Sequence, residues 1–236
     1  RPTPRGGGIA IVIVTLVGWF VACLVDLAAW QVVLPMAMGG SVVALIGYLD
    51  DRARVTPAIR VFVHLAAASC IVAGIGYVDQ LSMPAGIVEF GIFGAILTVF
   101  FIVWLLNLTN FMDGIDAIAA VETVTVTLAA ALLLAYAGDR ETAVLCAVIG
   151  VTTCGFLAWN WPPAKIFLGD VGSGFLGFVI GSLAVISHIR GSLDIVTWCI
   201  LAGAFIVDST YTLLLRLVRK QRIYEAHRSP AYQHAA

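Results

Sequence analysis

The stretch VVLPMAMGGSVVALIGYLDD, residues 32–51, determines what kind of fold this chain can adopt. Residues 32–49 are apolar or small throughout, and an α-helix needs a run of about that length to cross a bilayer. Two adjacent aspartates, Asp50 and Asp51, then end the run. Because neighbouring carboxylates repel each other, the pair either forms a solvated helix end or holds a proton or a divalent cation such as Mg²⁺.

The whole chain shares this apolar character. Of its 236 residues, 61% are hydrophobic and only 11% are charged, and the mean hydropathy is +1.02. Soluble domains carry about 25% charged residues, so the composition excludes a soluble domain and indicates an all-α polytopic membrane protein. The alternating segments of a transmembrane barrel are not seen. The five cysteines lie in apolar runs without CxxC spacing, which favours buried hydrophobic residues over a metal or redox site.

Eight membrane-spanning helices with short connections are predicted within one domain, residues 1–236. The predicted spans are 9–25, 32–49, 58–77, 87–106, 116–136, 143–159, 172–187 and 195–217. Of the 13 basic residues, all but Arg140 and Arg190 fall in one of the two alternating sets of connections. Lys and Arg accumulate on the cytoplasmic side of membranes, so we expect that set to be cytoplasmic. The chain opens on RPTPRGGG without Met, which suggests a fragment lacking its upstream part.

The polar segments that could carry chemistry belong to the same predicted cytoplasmic set. They are RPTPRGGG, DDRAR, NLTNFMDGID, NWPPAKIFLGD and the tail RKQRIYEAHRSPAYQH. The opposite loops, such as YVDQLSMPAG and AGDRE, are sparse and carry no such signal. A channel or transporter more often places its key charges near the bilayer midplane. The asymmetry therefore predicts an active-site cleft at the cytoplasmic face.

Polar residues recur at intervals of three in the segment NLTNFMDGIDAIA. Asn107, Asn110, Asp113 and Asp116 would lie roughly along one face of a helix, with Gly114 allowing a bend. Helix capping explains one of these residues but not four. In FLGDVGSGFLG, Asp170 precedes the seventh predicted span among glycines, which suits either an N-cap or the approach of an anion.

The tail adds His227 and Arg228. The planar guanidinium of arginine suits phosphate, although a basic tail commonly contacts anionic lipid. Together, these residues suit Mg²⁺-dependent handling of a phosphate or diphosphate, which requires positioning, a metal and cationic stabilisation. A site at the membrane surface would receive one substrate from water and the other from lipid.

Five motifs in order, PTPRGGG, LDD, NxxNFMDGIDAIA, FLGDVGS and AHRSPAYQH, resemble those of the polyprenyl-phosphate N-acetylhexosamine-1-phosphate transferases of glycosyltransferase family 4. The resemblance spans nearly the whole chain and looks closer to O-antigen and capsule initiators of lipopolysaccharide and cell-wall biogenesis than to the peptidoglycan enzyme. It implies transfer of HexNAc-1-phosphate from a UDP-amino sugar to undecaprenyl phosphate, with release of UMP. It also implies Mg²⁺, or alternatively Mn²⁺, a bacterial inner-membrane location, membrane lipids as partners, a homodimer as the assembly to consider, and no nucleic acid.

The resemblance also implies roles for individual residues. The implied catalytic residues are Asp50, Asp51, Asp170 and His227, with Asp50 in the position proposed to deprotonate the lipid phosphate. The implied substrate-binding residues are Arg5, Asn107, Asn110, Asp113, Asp116, Phe167, where the uracil ring would stack, and Arg228. The implied metal ligands are Asp51, Asp113 and Asp170.

The chain departs from the family pattern in two ways. Pro230 stands where this subgroup commonly has a second histidine, and family members have about 10–11 spans, so a span before Arg1 and another after Ala236 are expected. The alternative from a different class is a cation- or proton-coupled transporter using Glu122 and Asp208. A CDP-alcohol phosphotransferase would need a helix pattern that the sequence lacks. Candidate donors include UDP-GlcNAc, UDP-GalNAc and 6-deoxy-HexNAc nucleotides.

Overall fold

A computed structural model describes residues 3–53, 55–83 and 86–218 of the chain. The elements in chain order are α1 Gly8–Leu24, α2 Trp30–Ala53, α3 Pro57–Gly74, β1 Gln80–Met83, β2 Gly86–Glu89, α4 Phe93–Met112, α5 Ile118–Tyr136, α6 Arg140–Asn160, α7 Asp170–Ile189, α8 Ile195–Leu201 and α9 Gly203–Val218. Helices dominate the described residues, and β1 and β2 pair as a two-stranded hairpin. The predicted all-α membrane class is confirmed.

Six of the described helices, α2 to α7, are long and apolar enough to cross a membrane. Helix α1 is apolar but has only 17 residues. The eighth predicted span, 195–217, is divided at Ala202 into α8 and α9, which have 7 and 16 residues. Length and composition therefore support six spans in the described part of the chain, and the predicted count of eight is not confirmed.

The hairpin occupies the beginning of the predicted span 87–106. Strands β1 and β2 pair in antiparallel register, and the carbonyl of Asp79 accepts the N–H of Phe90 at 2.7 Å to close the hairpin. Ile87 and Val88 lengthen the apolar run in the sequence, but they are exposed strand residues. Helix α4 therefore begins six residues later than predicted.

The polar motifs meet at one end of the helical bundle. Asp50 near the end of α2 accepts a hydrogen bond from Arg60 in the first turn of α3. Asn110 near the end of α4 donates to Asp170, the first residue of α7, and Asn160 at the end of α6 accepts the backbone N–H that precedes α5. The predicted gathering of these connections on one face thus corresponds to contacts between helix ends.

Helix α7 is the central helix of the bundle. Residues 171–187 are all buried, and they pack chiefly against α2 and α4. Gly47 of α2 permits the close approach, because a Cβ there would lie 2.5 Å from the carbonyl oxygen of Asp170. Small residues allow membrane helices to pack closely. This contact places the two acids at the end of α2 beside the start of α7.

A cluster of charged side chains joins three loops at the opposite end of the bundle. Arg190 donates to Asp139 at 3.1 Å and to Glu141 at 2.8 Å, and Glu141 also accepts the N–H of Ala29 at 2.8 Å. Burial acts to raise the pKa of Asp139, but hydrogen bonds, led by that from Ser192, and the Arg190 charge lower it overall. The segment AGDRE, which the sequence left without a role, therefore fastens these loops together.

Candidate active site

A polar cavity of about 340 Å³ lies where the helix ends gather. Its walls come from the segment before α1, the end of α2, the α4–α5 connection and the α6–α7 connection, including the first residue of α7. The predicted site residues that line it are Arg5, Asp51, Asp113, Asp116, Phe167 and Asp170. Residues from four separate segments, spread over more than 160 positions of sequence, therefore share one cavity.

The two adjacent aspartates take different positions. Asp51 lines the polar cavity, where its Oδ2 lies 3.4 Å from the backbone N–H of Val171. Asp50 instead accepts the N–H of Val55 at 2.6 Å through Oδ1 and bonds Arg60 through Oδ2. Consecutive residues on an α-helix point about 100° apart, so the pair splits between the cavity and the α2–α3 connection.

Arg60 links two of the acids, although from the sequence it was expected only to contribute a cytoplasmic positive charge. Its Nη1 lies 2.5 Å from Asp50 and 3.6 Å from Asp170. Asn110 holds the other oxygen of Asp170 at 3.2 Å and also donates to Ser173 at 2.8 Å. The position of Asp170 is thus fixed from two sides. The connection between α2 and α3 is short, because α2 ends at Ala53 and α3 begins at Pro57. This short connection is the feature of the sequence that could have predicted Arg60 near the end of α2.

The residues spaced by three do not share one helix face. Helix α4 ends at Met112, and Asp113 is its C-cap. Asn107 donates to a carbonyl of its own helix and lines a separate recess of about 40 Å³. Asp116 lies in the connection to α5, where its carboxylate accepts the N–H of Ala164 at 2.8 Å. The single-face prediction is therefore wrong beyond Asn110, because the backbone leaves the helix.

Asp113 is the acid most perturbed by its surroundings. Burial, followed by the negative charges of Asp170 and Asp51, raises its pKa to about 7, while Arg5 opposes the shift. Such a group holds a proton near neutrality unless a cation replaces it. The repulsion inside the polar cavity therefore acts on Asp113 through Asp170 and Asp51, whereas the sequence suggested repulsion between the adjacent Asp50 and Asp51.

The carboxylates of the polar cavity are hard oxygen donors, which suit Mg²⁺. In the part of the chain that the structure describes, no group of three or more His, Cys, Asp and Glu side chains is arranged to hold a metal ion. Mg²⁺ usually keeps several waters and binds through one or two carboxylates together with substrate phosphates. The donor set fits an ion completed by phosphate rather than one enclosed by protein.

A short parallel bridge between residues 5 and 167 presents Arg5 and Phe167 to the polar cavity. The N–H of Phe167 donates to the Pro4 carbonyl at 2.9 Å, and its own carbonyl accepts the N–H of Gly7 at 3.0 Å. Phe167 is 37% exposed and lines the polar cavity. His227 and Arg228, with Pro230, lie outside the described residues.

An apolar cavity of about 410 Å³ adjoins the polar cavity. The two share Ile115 and Asp116, and the apolar cavity extends between α5 and α9. Glu122 and Asp208, the acids of the transporter hypothesis, also line it. Six acidic residues thus line the two adjoining cavities: Asp51, Asp113, Asp116, Glu122, Asp170 and Asp208.

The sequence matches a known family. The model described as Glycosyl transferase family 4 matches residues 33–188, which include helices α3 to α6 and nearly all of α2 and α7. The chain belongs to glycosyl transferase family 4. The resemblance predicted from the five motifs is confirmed.

Three relatives of this family-4 chain cover almost its full length. A "Probable undecaprenyl-phosphate N-acetylglucosaminyl 1-phosphate transferase" from Bacillus subtilis (strain 168) is 31% identical over 93% of the chain and 62% of the relative. A "Phospho-N-acetylmuramoyl-pentapeptide-transferase" from Limosilactobacillus fermentum is 28% identical over 93% of the chain and 69% of the relative. A protein of the same name from Trichormus variabilis is 31% identical over 97% of the chain and 62% of the relative. The family-4 chain thus spans about two thirds of the length of the relatives it matches.

These relatives bear on the alternatives that the sequence left open. They are sugar-phosphate transferases by name, so the transporter hypothesis finds no support. Both a GlcNAc-1-phosphate transferase and pentapeptide transferases match the family-4 chain, and the preference for an O-antigen or capsule initiator stays a prediction. The roles of the individual site residues also stay predictions.

Proposed function

We propose that this family-4 protein transfers a HexNAc-1-phosphate from a UDP-amino sugar to polyprenyl phosphate, releasing UMP and forming a polyprenyl-diphospho-sugar. The observation that carries the proposal is the polar cavity, in which Asp51, Asp113, Asp116 and Asp170 face Arg5 and Phe167 beside an apolar cavity. The names of the relatives describe transfers of this type.

The adjoining cavities suit one water-soluble and one lipid substrate. The polar cavity would take the diphosphate of the nucleotide sugar, and the apolar cavity would take the first isoprene units of the acceptor. Their shared residues, Ile115 and Asp116, mark the place where the two substrates would meet. Phe167 offers a partly exposed ring on which a uracil base would stack.

In the proposed reaction, an oxygen of the polyprenyl phosphate attacks the β-phosphorus of the UDP-sugar. The bond between that phosphorus and the bridging oxygen of UMP breaks, and UMP leaves with the bonding electron pair. Phosphoryl transfer depends mainly on positioning and electrostatic stabilisation. Arg5 would supply positive charge beside the reacting phosphates, and the hydrogen bond from Asn110 would hold Asp170 in place.

We also propose Mg²⁺, with Mn²⁺ as the alternative, as a cation that one or two carboxylates among Asp51, Asp113 and Asp170 would hold together with the diphosphate. A bound Mg²⁺ would neutralise the charge that develops on the diphosphate. Burial, followed by the negative charges of Asp170 and Asp51, raises the pKa of Asp113 to about 7, and a bound cation would offset the penalty on the charged carboxylate.

Asp50 has less direct access to a substrate than Asp51. Both of its carboxylate oxygens are engaged, one by the N–H of Val55 and the other by Arg60. Acting as the base for the lipid phosphate would require Asp50 to release Arg60. Asp51 lines the polar cavity and needs no such rearrangement.

We place the site on the cytoplasmic side of a bacterial inner membrane. Arg5, Lys165 and Arg60 in the first turn of α3 all lie at the end of the bundle that carries the polar cavity, whereas Arg140 and Arg190 lie at the other end. The bias of Lys and Arg toward the cytoplasm supports this orientation.

The test is UMP release by the full-length protein, with a panel of UDP-HexNAc donors, undecaprenyl phosphate and Mg²⁺. We expect release that requires the lipid acceptor and falls sharply in Asp51→Asn and Asp170→Asn. Asp26→Asn, which changes an exposed acid at the opposite end of the bundle, is the matched control and should remain active. Equal UMP release without the acceptor, or by the two site variants, would contradict the proposal.

A further inference from the structure

An apolar groove of about 670 Å³ runs between α1 and α6 on the outer side of the bundle, separate from the two cavities of the candidate active site. Val14 and Val151 on its walls are 53% and 64% exposed, so the groove opens to the surroundings of the bundle. At Gly155, which also lines the groove, a Cβ would meet no atom within 4 Å, so the space beside this residue is open. In a membrane, lipid tails lie against such a surface.

The groove shares a wall with the polar cavity. Residues 4–5 and 166–167 run in parallel, joined by the hydrogen bond from the N–H of Phe167 to the carbonyl of Pro4. Successive side chains of an extended segment point to opposite sides. Pro4 and Ile166 accordingly line the groove, while Arg5 and Phe167 line the polar cavity.

The charge of the groove is confined to one place. Among the described residues that line it, Lys165 alone carries a charge. Lys165 is exposed and lies in the connection after α6, with its Nζ 5.5 Å from the ring centroid of Trp159. A lysine paired with a tryptophan is typical of a membrane–water interface, and such cations attract anionic headgroups.

We propose that this groove binds an anionic phospholipid, with an acyl chain along α1 and α6 and the phosphate beside Lys165. The apolar walls, the free space at Gly155 and the single cation at the helix ends match the two parts of such a molecule. A lipid in this position supports the wall that carries Arg5 and Phe167 from behind. The binding itself does not depend on the proposed reaction.

The test is native mass spectrometry of the full-length protein, equilibrated with equal amounts of phosphatidylglycerol and phosphatidylcholine of identical chains. The wild type should retain phosphatidylglycerol preferentially. Lys165→Gln should lower the retained phosphatidylglycerol about fivefold, the effect of one cation near an anionic headgroup. Lys165→Arg should preserve the preference, because it keeps the charge.

Two further variants separate the groove from the charge. Gly155→Leu fills the free space and should reduce retention of both lipids, and leucine favours the helix more than glycine does. Arg140→Gln makes the same charge change at the opposite end of α6 and should leave retention unchanged. Thermal unfolding of each variant separates loss of lipid from loss of fold.

Several results would overturn the proposal. These are equal retention of the two lipids by the wild type, unchanged retention in Lys165→Gln, displacement of phosphatidylglycerol by added polyprenyl phosphate, or a helix of the full-length protein in the groove. Retention is measured without turnover, so absence of UMP release with normal retention rejects the proposed function alone. Normal UMP release without selective retention rejects the lipid site alone.

Discussion

Replacing Gly169 with alanine should reduce the proposed activity far more than an equivalent strain elsewhere in the chain. Gly169 immediately precedes α7 and Asp170, and it lines the polar cavity. Its backbone has φ 75° and ψ 168°, a combination that is almost restricted to glycine. The substitution therefore changes the backbone next to the acids without altering any charge.

The expected magnitude has two parts. The backbone strain costs about 1–3 kcal/mol of folding free energy. In addition, the new Cβ would lie 2.7 Å from Oδ2 of Asp51, whereas ordinary contacts begin at 3.4 Å, so the carboxylate must retreat by about 0.7 Å. A misplacement of about 1 Å at a reacting site costs on the order of a hundredfold in rate. We expect UMP release per folded molecule to fall between about tenfold and a hundredfold.

The chain offers a matched control in Gly191→Ala. Gly191 has φ 69°, and a Cβ there would meet nothing within 4 Å. It lies after α7, at the opposite end of the bundle. Both variants should lose thermal stability, but only Gly169→Ala should lose UMP release per folded molecule. Equal activity of the two variants after correction for folding would refute the placement of Asp51 in the site.

Three further predictions follow from the same contacts. Asn110→Leu removes the hydrogen bond to the Asp170 carboxylate and should lower UMP release by about 10–100-fold, because hydrogen bonds to charged groups contribute about 1.5–3 kcal/mol. An unchanged rate would contradict the role of Asn110 in holding Asp170. Because the Asp113 pKa is about 7, its proton competes with Mg²⁺ below that pH. The half-saturating Mg²⁺ concentration should therefore decrease as the pH is raised from about 6 to about 8. A half-saturating concentration that does not change with pH would contradict a role of Asp113 in metal binding. Arg190→Gln should cost about 1–3 kcal/mol of stability and leave UMP release per folded molecule intact. Because the pKa of Asp139 is lowered in the folded state, its charged carboxylate stabilises the fold at pH values above its unfolded pKa of about 4. The stability lost in Arg190→Gln, measured by thermal unfolding, should therefore become smaller as the pH falls below about 4.

The helical class and the position of the site follow from the sequence because charged side chains are expensive inside a bilayer. The run before Asp50 can only be a helix, and its end must meet water. Successive spans cross the membrane in alternate directions, so every second connection lies on the same side, and the connections rich in Lys and Arg are expected on the cytoplasmic side. The structure brings Asp51, Asp113 and Asp170 together at that end, as the motifs predicted.

The hairpin and the divided last span could not be predicted in this way. Ile87 and Val88 are as apolar as helix residues, and their strand pairing depends on the register of β1 and β2 rather than on composition. Likewise, residues 195–217 form one apolar pattern in the sequence, but in the structure the helix is interrupted at Ala202. Hydropathy measures the preference for lipid and does not register a local break in a helix.

The finer arrangement of the site depends on contacts between distant segments. Asn107 has the same spacing as Asn110 and Asp113, but it lies inside α4, which ends only at Met112. Its side chain donates to a carbonyl of the same helix instead of lining the polar cavity. Asp50 and Asp51 point apart because they are consecutive helix residues, but the partner of Asp50 is Arg60, which reaches the site only once α2 and α3 have paired. This pairing is not visible as a local pattern.

The most direct test of the central claim is a crystal structure of the full-length protein with Mn²⁺ and a UDP-HexNAc, located by the anomalous signal of the metal. We predict one Mn²⁺ in the polar cavity, bonded to the diphosphate and to carboxylates among Asp51, Asp113 and Asp170, with the uracil ring against Phe167. A metal and diphosphate bound elsewhere, with no bond to these acids, would contradict the account.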